Sequence, residues 1–374
     1  MKQLPKITFI FPIYKKSEYL IHNIQKILED KYPSELKEII ISIDMPEEDF
    51  KKALDILKNF KNVKIVISYV RRGKVNATME DLRYSTGDII ISVDSDAKIE
   101  KIDLYKLVNE LEEVDILDFY KEILPSNWIG KVMYMEYMLY YQYIGYFVNK
   151  YKKSITMNGG AFAIKRDVWE KVGGYSKVYV EDIDLCLKVM GVKGRIKVSD
   201  AIFVSIKPLD NLSQLISQKI RWTFSIIEVI NYHFKDIVEI SVRYPLLIIS
   251  FIGIISIPFI FWLYLLIFLP INYIYVIGSN LYNSMVGLSP IYLLVFSPFD
   301  IYRFLYFIFS ILALIFTQFI FILVLDAIKR KKVFNLVYYL LFVTFYVLLY
   351  DIALIYNFLY YLIFERAPIK NWKV

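Results

Sequence analysis

The stretch Ile89-Ile-Ile-Ser-Val-Asp-Ser-Asp-Ala97 places two carboxylates at the end of a continuously apolar run. Side chains at positions i and i+2 of an extended strand point to the same side, so Asp94 and Asp96 can share one hard divalent cation. This pair predicts a site for a metal-chelated diphosphate. Asp-x-Asp also occurs by chance in turns. The alternative is therefore that Asp94 and Asp96 are two solvated aspartates in a loop.

The sequence before this stretch predicts an α/β domain. Apolar strand-like runs, separated by stretches with helical spacing, lie at 7–14, 38–44, 63–70 and 88–94. Alternation of strand and helix is typical of a layer with a largely parallel sheet, and runs without polar alternation indicate burial on both faces. Ligands of such sheets bind at the carboxyl ends of the strands.

Four of the predicted strand ends carry groups suited to a nucleotide. Tyr14 follows the first strand and could stack on a base, and Asp44 follows the second and could accept from a base N–H. Lys74 opens a predicted helix, whose N-terminus favours anions. Each group alone could be an ordinary turn residue. Together with Asp94 and Asp96, the four coincident ends favour a nucleotide site.

These motifs resemble those of the inverting family 2 glycosyltransferases, which have a GT-A fold. The matching segments are Phe11-Pro-Ile-Tyr14, Asp44, Gly73-Lys-Val-Asn-Ala77 and Gly87-Asp-Ile-Ile-Ile-Ser-Val-Asp-Ser-Asp96. The resemblance implies that Tyr14 and Asp44 face a uracil base and that Lys74 belongs to the donor site. It also implies that Asp94 and Asp96 hold Mg²⁺ or Mn²⁺ on the diphosphate of the donor.

Two later segments are similar to the acceptor half of that family. Asn158-Gly-Gly-Ala-Phe-Ala-Ile-Lys-Arg166 resembles its Gly-Gly segment, in which Gly159 and Gly160 would let the backbone approach a sugar closely. A plain turn before a strand is the alternative. Val180-Glu-Asp-Ile-Asp-Leu185 resembles its Thr-Glu-Asp motif, with valine in place of threonine. The resemblance implies that Asp182 is the catalytic base and that Glu181 lies on the acceptor side.

The segment Gln218-Lys-Ile-Arg-Trp222 fits the pattern Gln-x-x-Arg-Trp. This pattern is a signature of the synthase branch, which includes cellulose, chitin and hyaluronan synthases. The spacing puts the three matching residues on neighbouring turns of a helix, so they can face one pocket. In that pocket Gln218 and Arg221 would contact the donor pyrophosphate, and Trp222 would stack on the acceptor sugar.

Charge is distributed unevenly along the chain. Residues 244–374 contain 12 charged side chains, whereas residues 1–243 contain 71. Apolar runs at 244–269 and 303–326 exceed the roughly 20 residues that cross a bilayer, and a third apolar stretch covers 333–364. We expect three spans, with four as the alternative, and the basic run 329–332 in the cytoplasm by the positive-inside rule.

The expected organisation therefore has three parts. A cytoplasmic α/β domain of the GT-A type would occupy 1–208, interfacial amphipathic helices carrying Gln-x-x-Arg-Trp would occupy 209–243, and a helical transmembrane domain would occupy 244–374. A further helix at 128–151 is expected on the surface of the domain or of the membrane. No apolar segment begins the chain, so we expect no signal peptide and a multi-pass protein of the cytoplasmic membrane.

The expected function is transfer of a sugar, with inversion, from a nucleotide sugar to a glycan or lipid-linked acceptor. The resemblance implies that the nucleotide is UDP. Processive addition is left open. One alternative is a polyprenyl-phosphate or lipid glycosyltransferase that adds a single sugar, and another is a non-catalytic membrane assembly subunit. The sequence also leaves open whether copies of the chain form a homo-oligomer.

Composition excludes some other classes of protein. The net charge of +7 divides into +3 for residues 1–243 and +4 for 244–374, a spread too even to indicate nucleic-acid binding. A basic excess beside a membrane suits anionic headgroups instead. The single cysteine, Cys186, excludes an intrachain disulfide and a cysteine-rich metal site.

Overall fold

The structure, a computed structural model, describes residues 3–58, 60–248 and 336–364. The chain divides into two compact units, Met1–Ser250 with Ile352–Val374, and Phe251–Asp351. The first unit is built on one eight-stranded sheet. Its strands are β1 Ile7–Tyr14, β2 Lys37–Asp44, β3 Val63–Ser68, β4 Ile89–Val93, β5 Ala97–Ile102, β6 Ile116–Ile123, β7 Ala161–Lys165 and β8 Ile196–Ile206.

Helices connect these strands and cover the sheet. Those of the first unit are α1 Leu20–Glu29, α2 Glu48–Leu57, α3 Lys74–Asp81, α4 Leu104–Glu113, α5 Trp128–Leu139, α6 Gly145–Tyr151, α7 Arg166–Val172, α8 Glu181–Gly191 and α9 Leu212–Arg243. A π-helical turn, Tyr140–Ile144, joins α5 to α6. In the described C-terminal part, α10 Leu336–Leu341 and α11 Val347–Phe364 flank another π-helical turn, Phe342–Tyr346.

The strand order is β3-β2-β1-β4-β7-β6-β8-β5. Pairs β1/β2, β1/β4, β2/β3 and β6/β8 are parallel, whereas β4/β7, β6/β7 and β5/β8 are antiparallel. The predicted α/β class with a largely parallel sheet is therefore confirmed for the first half of the domain. Each antiparallel pair includes at least one strand from β5 to β8, for which no limits were predicted.

The sheet core explains why the first strands pair as they do. All eight residues of β2 and all five of β4 are buried, so neither strand has a solvent face. The register pairs Tyr14 with Asp44 and Asp44 with Ser68, so the carboxyl ends of β1, β2 and β3 are level. The predicted gathering of four strand ends at one edge is confirmed by this order and register.

The helix predicted at 128–151 is present, but its expected position at a surface is wrong. Its apolar side chains pack inside the unit; Ile129, Val132, Met133, Leu139 and Val148 are each at most 2% exposed. The scarcity of charges in this stretch reflects burial against the sheet strand β6 and, farther along, β8. Trp128 and Tyr146 are among its exposed side chains.

The predicted spans 244–269 and 303–326 lie almost entirely outside the described residues. Within the described ranges, no helix is both long and apolar enough to cross a bilayer. The third apolar stretch contributes α10 and α11 to the described part of the chain. The transmembrane domain therefore stays a prediction, as do the predicted domain boundaries at 208 and 243.

Candidate active site

The part of the site that is expected to bind the nucleotide lies at the carboxyl ends of β1 and β2, which are side by side. The ring of Tyr14 is 43% exposed, and the guanidinium carbon of Arg71 lies 4.6 Å from its centroid. A cation over a tyrosine face is a favourable arrangement, and a planar base could use the same exposed aromatic surface. Stacking of a base on Tyr14, as predicted, thus requires sharing or displacing Arg71.

Asp44 has a structural role that sequence analysis did not anticipate. Its buried carboxylate accepts hydrogen bonds from the backbone N–H groups of Arg72 at 2.6 Å and Gly73 at 3.0 Å, and from Arg72 Nε at 2.8 Å. Arg72 also forms a two-pronged ion pair with Asp81, at 2.9 and 3.1 Å. Asp44 therefore fixes the loop that opens α3, and only its remaining lone pairs could meet a base.

The predicted metal carboxylates follow β4 directly. The Asp94 N–H donates to the Gly160 carbonyl at 2.9 Å, which ties this turn to the glycine segment before β7. Burial raises the pKa of Asp94 to about 7, although the ammonium of Lys74 opposes the shift. Partial removal from water also raises the pKa of Asp96, against the opposing charges of Lys74 and Arg221.

Asp94 is half-buried and Asp96 is exposed, and a carboxylate pair of this kind is suited to a hard divalent cation. The raised pKa of Asp94 means that Lys74, as the adjacent cation, compensates its burial only in part. No group of three or more His, Cys, Asp or Glu residues with metal-binding geometry occurs in the described part of the chain. Such a cation would therefore need phosphate and water oxygens in addition to Asp94 and Asp96, which is the usual environment of Mg²⁺.

Lys74 joins the two halves of the cleft. Its Nζ lies 2.8 Å from Asp94 Oδ1 and 2.8 Å from Glu181 Oε1. These two carboxylates come from the donor motif and from the start of α8. One ammonium group thus brings together segments that are more than 80 residues apart.

The predicted base, Asp182, is held by two backbone donors. Its Oδ2 accepts from the Gly159 N–H at 2.6 Å, and its Oδ1 accepts from the Ile183 N–H at 2.9 Å. Burial raises the pKa of Asp182 to about 6; the charge of Glu181 adds to the rise and Lys74 opposes it. Each oxygen keeps a second lone pair, so this carboxylate can accept a proton at near-neutral pH.

The approach of Asp182 explains why residue 159 is glycine. A Cβ at this position would lie 2.5 Å from Asp182 Oδ2 and 2.7 Å from its Cβ, well inside van der Waals contact. A Cβ on Gly160 would have ordinary contacts, the nearest at 3.4 Å from Asn158 Oδ1. Of the two glycines predicted to lie near an acceptor sugar, Gly159 therefore has a demonstrable steric role toward the base.

A buried network of charged side chains contacts the glycine segment. The sequence did not predict this network. Lys121 is fully buried and donates to Asp118 Oδ1 at 2.6 Å and to the Tyr141 hydroxyl at 3.1 Å. Asp118 Oδ2 accepts from the Tyr140 hydroxyl at 3.0 Å and from the Asn158 N–H at 3.3 Å. Two opposite charges within the apolar strand β6 were the available signal for it.

The helix α9 carries the Gln-x-x-Arg-Trp segment to the same cleft. Arg221 acts electrostatically on Asp96, which places its positive charge near the metal carboxylates. Between the motif residues, the fully buried Lys219 pairs with Glu136 of α5 at 2.9 Å and lies 4.0 Å from the ring centroid of Trp222. Lys219 was not singled out from the sequence, yet it anchors this part of α9 to the domain.

The C-terminal helix α11 fastens the other side of α9. Asn357 is buried, and its Nδ2 donates to the Ile220 carbonyl at 2.6 Å and to Thr223 Oγ1 at 2.6 Å. Asn231 Nδ2 donates to the Tyr361 hydroxyl at 3.0 Å. The motif helix is thus held by residues that the sequence assigned to the membrane domain.

A second anchor connects α8 to the kink in α9. His233 has non-helical backbone angles within α9, and its Nε2 lies 2.8 Å from Asp184 Oδ1. Asp184 is two residues beyond Asp182, on the same helix. The hydrogen bond to Asp184 raises the pKa of His233, whereas burial opposes the rise.

The His233–Asp184 contact predicts a pH-dependent stability. Since the folded-state pKa of His233 is raised, its stabilisation is complete below the unfolded value near 6.5 and is lost as pH rises through the folded value. We expect His233→Gln to lower stability by about 1–2 kcal/mol at pH 6 and by less at pH 9. Thermal unfolding of both proteins at the two pH values measures this; an equal loss at both would contradict it.

Part of the chain is similar in sequence to known glycosyltransferases. Residues 8–173 match Glycosyl transferase family 2. The chain is 24% identical over 235 residues to the "Probable glycosyltransferase YdaM" of Bacillus subtilis (strain 168), a match covering 59% of this chain and 55% of the relative. It is 25% identical over 277 residues to the "Poly-beta-1,6-N-acetyl-D-glucosamine synthase" of Staphylococcus aureus (strain COL), covering 71% and 64%.

Among solved structures, the chain is similar to a mannosyltransferase from Pyrobaculum calidifontis in complex with GDP-Man and Mn²⁺. The TM-score is 0.49 at 18% identity, with 63% of this chain and 65% of the other covered. The chain thus spans between about half and two thirds of the length of the curated relatives it matches. The family 2 match includes Tyr14, Asp44, Lys74, the Asp94/Asp96 pair and the glycine segment, and it ends before Asp182 and the Gln-x-x-Arg-Trp segment. The family 2 match and the two curated relatives support an enzyme of the glycosyltransferase class.

Proposed function

We propose that this chain, which carries a family 2 glycosyltransferase domain, is a membrane-bound inverting glycosyltransferase of the GT-A type and of the synthase branch. It would transfer a sugar from a UDP-linked donor to a glycan or lipid-linked acceptor. The observation that carries the proposal is the Lys74 bridge, 2.8 Å from both Asp94 and Glu181, which joins a donor-type carboxylate to the residue beside a base. The donor and acceptor ends of a transfer reaction meet there in one cleft.

On the donor side, the chain supplies binding and charge. Tyr14 and the free lone pairs of Asp44 would face the base, while Lys74, Gln218 and Arg221 would contact the diphosphate. Asp94 and Asp96 would hold Mg²⁺ or Mn²⁺, which would act as a Lewis acid on the leaving diphosphate.

On the acceptor side, Asp182 performs the proton transfer. Its carboxylate accepts the proton of the acceptor hydroxyl, and the resulting oxygen nucleophile attacks the anomeric carbon as the bond to the diphosphate breaks. Hydrogen bonds from Gly159 and Ile183 hold the carboxylate in place for this step. Glu181 and the backbone at Gly160 would line the acceptor side, and the Trp222 ring would hold an acceptor sugar by stacking.

The proposal includes a location in the cytoplasmic membrane, with the catalytic domain in the cytoplasm. It is supported by the apolar runs at 244–269 and 303–326 and by the basic run 329–332. It is also consistent with the many exposed apolar side chains on α11, including Leu362, Ile363 and Phe364. Fractionation of cells that produce the full chain tests the location, and recovery in the soluble fraction would contradict it.

Incubation of the purified full chain with a panel of radiolabelled nucleotide sugars tests the reaction. We expect release of UDP from at least one UDP-sugar, and labelled product in the presence of membrane lipid or glycan acceptors. Product sizing separates repeated addition from a single addition to a lipid carrier. Absence of nucleotide release with every donor would instead support a non-catalytic assembly subunit.

Removal of divalent cations should abolish transfer. We expect EDTA to eliminate UDP release and Mn²⁺ or Mg²⁺ to restore it, because Asp94 and Asp96 provide oxygen ligands for a hard cation. Asp94→Asn should also weaken Mn²⁺ binding at least tenfold, as measured by electron paramagnetic resonance in the presence of UDP. Asp200→Asn is the matched control, because Asp200 is exposed and pairs with Lys106 away from the cleft. Equal Mn²⁺ affinity in both variants would remove Asp94 from the metal site.

A further inference from the structure

Tyr175 is a buried aromatic residue in the loop that precedes the predicted base. It lies in the loop between α7 and α8 and is only 5% exposed. Its ring packs edge-on against Trp169, with centroids 4.9 Å apart, and against Phe162 at 6.4 Å. Packing against two aromatic rings therefore fixes the orientation of the Tyr175 ring, and the hydroxyl takes no part in these contacts.

The residue before it shows how tightly this loop is held. Gly174 has φ +63°, a conformation that L side chains rarely adopt. A Cβ there would lie 2.6 Å from Met79 Sδ in α3 and 2.8 Å from the Trp169 ring. The backbone thus passes directly against α3, the helix that begins with Lys74, and Tyr175 follows immediately.

The hydroxyl of Tyr175 has no hydrogen-bond partner among the residues that the structure describes. Leaving a buried hydroxyl unpaired is unfavourable in a folded protein, so an occupant of the cleft that pairs with it would be favoured. Burial raises the pKa of Tyr175, and the charged groups that act on the hydroxyl are Lys74, Glu181, Asp94 and Asp182. The hydroxyl is therefore protonated and can act as a hydrogen-bond donor.

The neighbours of Tyr175 belong to the elements that carry the predicted metal carboxylates and the predicted base. Phe162, against which Tyr175 packs, pairs in register with Ser92 of β4, two residues before Asp94. Asp182 lies seven residues after Tyr175, at the start of α8. In an inverting transfer, the sugar must lie between the diphosphate and the attacking hydroxyl. The charges that act on Tyr175 belong to both of these sides.

We infer that the Tyr175 hydroxyl donates a hydrogen bond to a hydroxyl oxygen of the sugar being transferred, and that it contributes to selection of the donor sugar. This inference rests on the proposed function. It assigns to Tyr175 the sugar part of the donor and not the nucleoside diphosphate, whose predicted contacts are Tyr14, Asp44, Lys74 and the metal carboxylates.

Tyr175→Phe tests the inference, because it removes the hydroxyl and keeps the ring that packs on Trp169. Calorimetry of the full chain with Mn²⁺ would measure the Kd values of UDP, UDP-glucose and UDP-N-acetylglucosamine. For the nucleotide sugar that the wild type binds most tightly, we expect the Kd to rise about tenfold, or about 1.4 kcal/mol. The Kd of UDP should stay within twofold.

Tyr179→Phe is the matched control. It removes a hydroxyl from the same loop, where the Tyr179 ring packs on Phe224 of α9 at 5.7 Å. We expect this variant to bind all three nucleotides as the wild type does. Thermal midpoints equal to that of the wild type for both variants would show that neither change disturbs the fold.

The other outcomes are distinguishable. Unchanged binding of the nucleotide sugar by Tyr175→Phe would overturn the inference and leave the proposed function standing. Equal weakening of UDP and of the nucleotide sugar would also overturn it, because the contact would then not be to the sugar. A wild-type chain that binds none of the three nucleotides would refute the proposed function itself, and the inference with it.

Discussion

Asp182→Asn is expected to lower the transfer rate by roughly 10²- to 10⁴-fold, the range attributable to general base catalysis. The Kd of UDP should stay within about threefold of the wild type, because the donor contacts lie on other elements. The amide cannot accept the proton of the acceptor hydroxyl. Initial rates with the best donor, together with calorimetric UDP binding, measure both effects.

The wild-type pH profile gives an independent check of the same assignment. Burial and the neighbouring Glu181 raise the pKa of Asp182 to about 6. The carboxylate must be deprotonated to act as a base, so the rate should fall as pH drops below about 6 and level off above it. The residual rate of Asp182→Asn should lack this acid limb.

Two controls complete the test of Asp182. Asparagine has one side-chain oxygen where aspartate has two, so either Gly159 or Ile183 loses its acceptor, and the thermal midpoint must be measured alongside the rate. Asp200→Asn, on the surface, should keep wild-type activity. Near wild-type turnover by Asp182→Asn would assign the base to another residue.

Gly159→Ala should have the second largest effect. The added methyl group would lie 2.5 Å from Asp182 Oδ2, so the base must move or its hydrogen bond from residue 159 must break. Misplacement of a catalytic group by about 1 Å can cost roughly 10²-fold in rate. We expect a loss of that size in kcat, with little change in UDP affinity.

Gly160→Ala is the informative comparison for this prediction. Its methyl group would have ordinary contacts, the nearest at 3.4 Å, so the base need not move. We expect a loss below tenfold, which would measure how closely the acceptor approaches this backbone. If both variants lost activity equally, the contact of Gly159 with Asp182 would not be the reason for glycine at position 159.

The donor half could be predicted because its signals are local. The predicted limits 7–14 agree with β1, and the predicted limits 38–44 differ from those of β2 by one residue. Both strands are continuous apolar runs that end in Tyr or Asp, so few other limits fit the pattern. The alignment of Tyr14, Asp44 and Asp94 then follows from the rule that parallel strands end at one edge. The sequence pattern contained all of this information.

Other features could not be predicted because they depend on contacts between distant segments. Nothing near Asp44 in the sequence indicates that Arg72 and the N–H groups of its loop occupy the carboxylate. The pairing of Lys219 with Glu136 links two helices 83 residues apart. The same applies to Tyr175, whose importance comes from an unpaired hydroxyl and not from its residue type.

The apolar stretch 128–151 shows a different limit. Few charges and many Tyr and Met residues are equally typical of a membrane-surface helix and of a helix packed on a sheet. Only the pairing of the surrounding strands decides between them. The structure shows the packed helix, and the buried Asp118–Lys121 pair gives polar partners to Tyr140 and Tyr141 at the π-helical turn.

The hydrogen bonds between α11 and α9 have a consequence for biosynthesis. Asn357, which donates to the Ile220 carbonyl, is synthesised 137 residues after it. At about 5–20 residues per second, that interval is roughly 7–27 s. During this time the nascent α/β domain emerges from the ribosome with the inner face of its motif helix uncovered. Chains whose translation stops early therefore carry the donor motifs and the base, but leave the Thr223 side of α9 without its Asn357 partner.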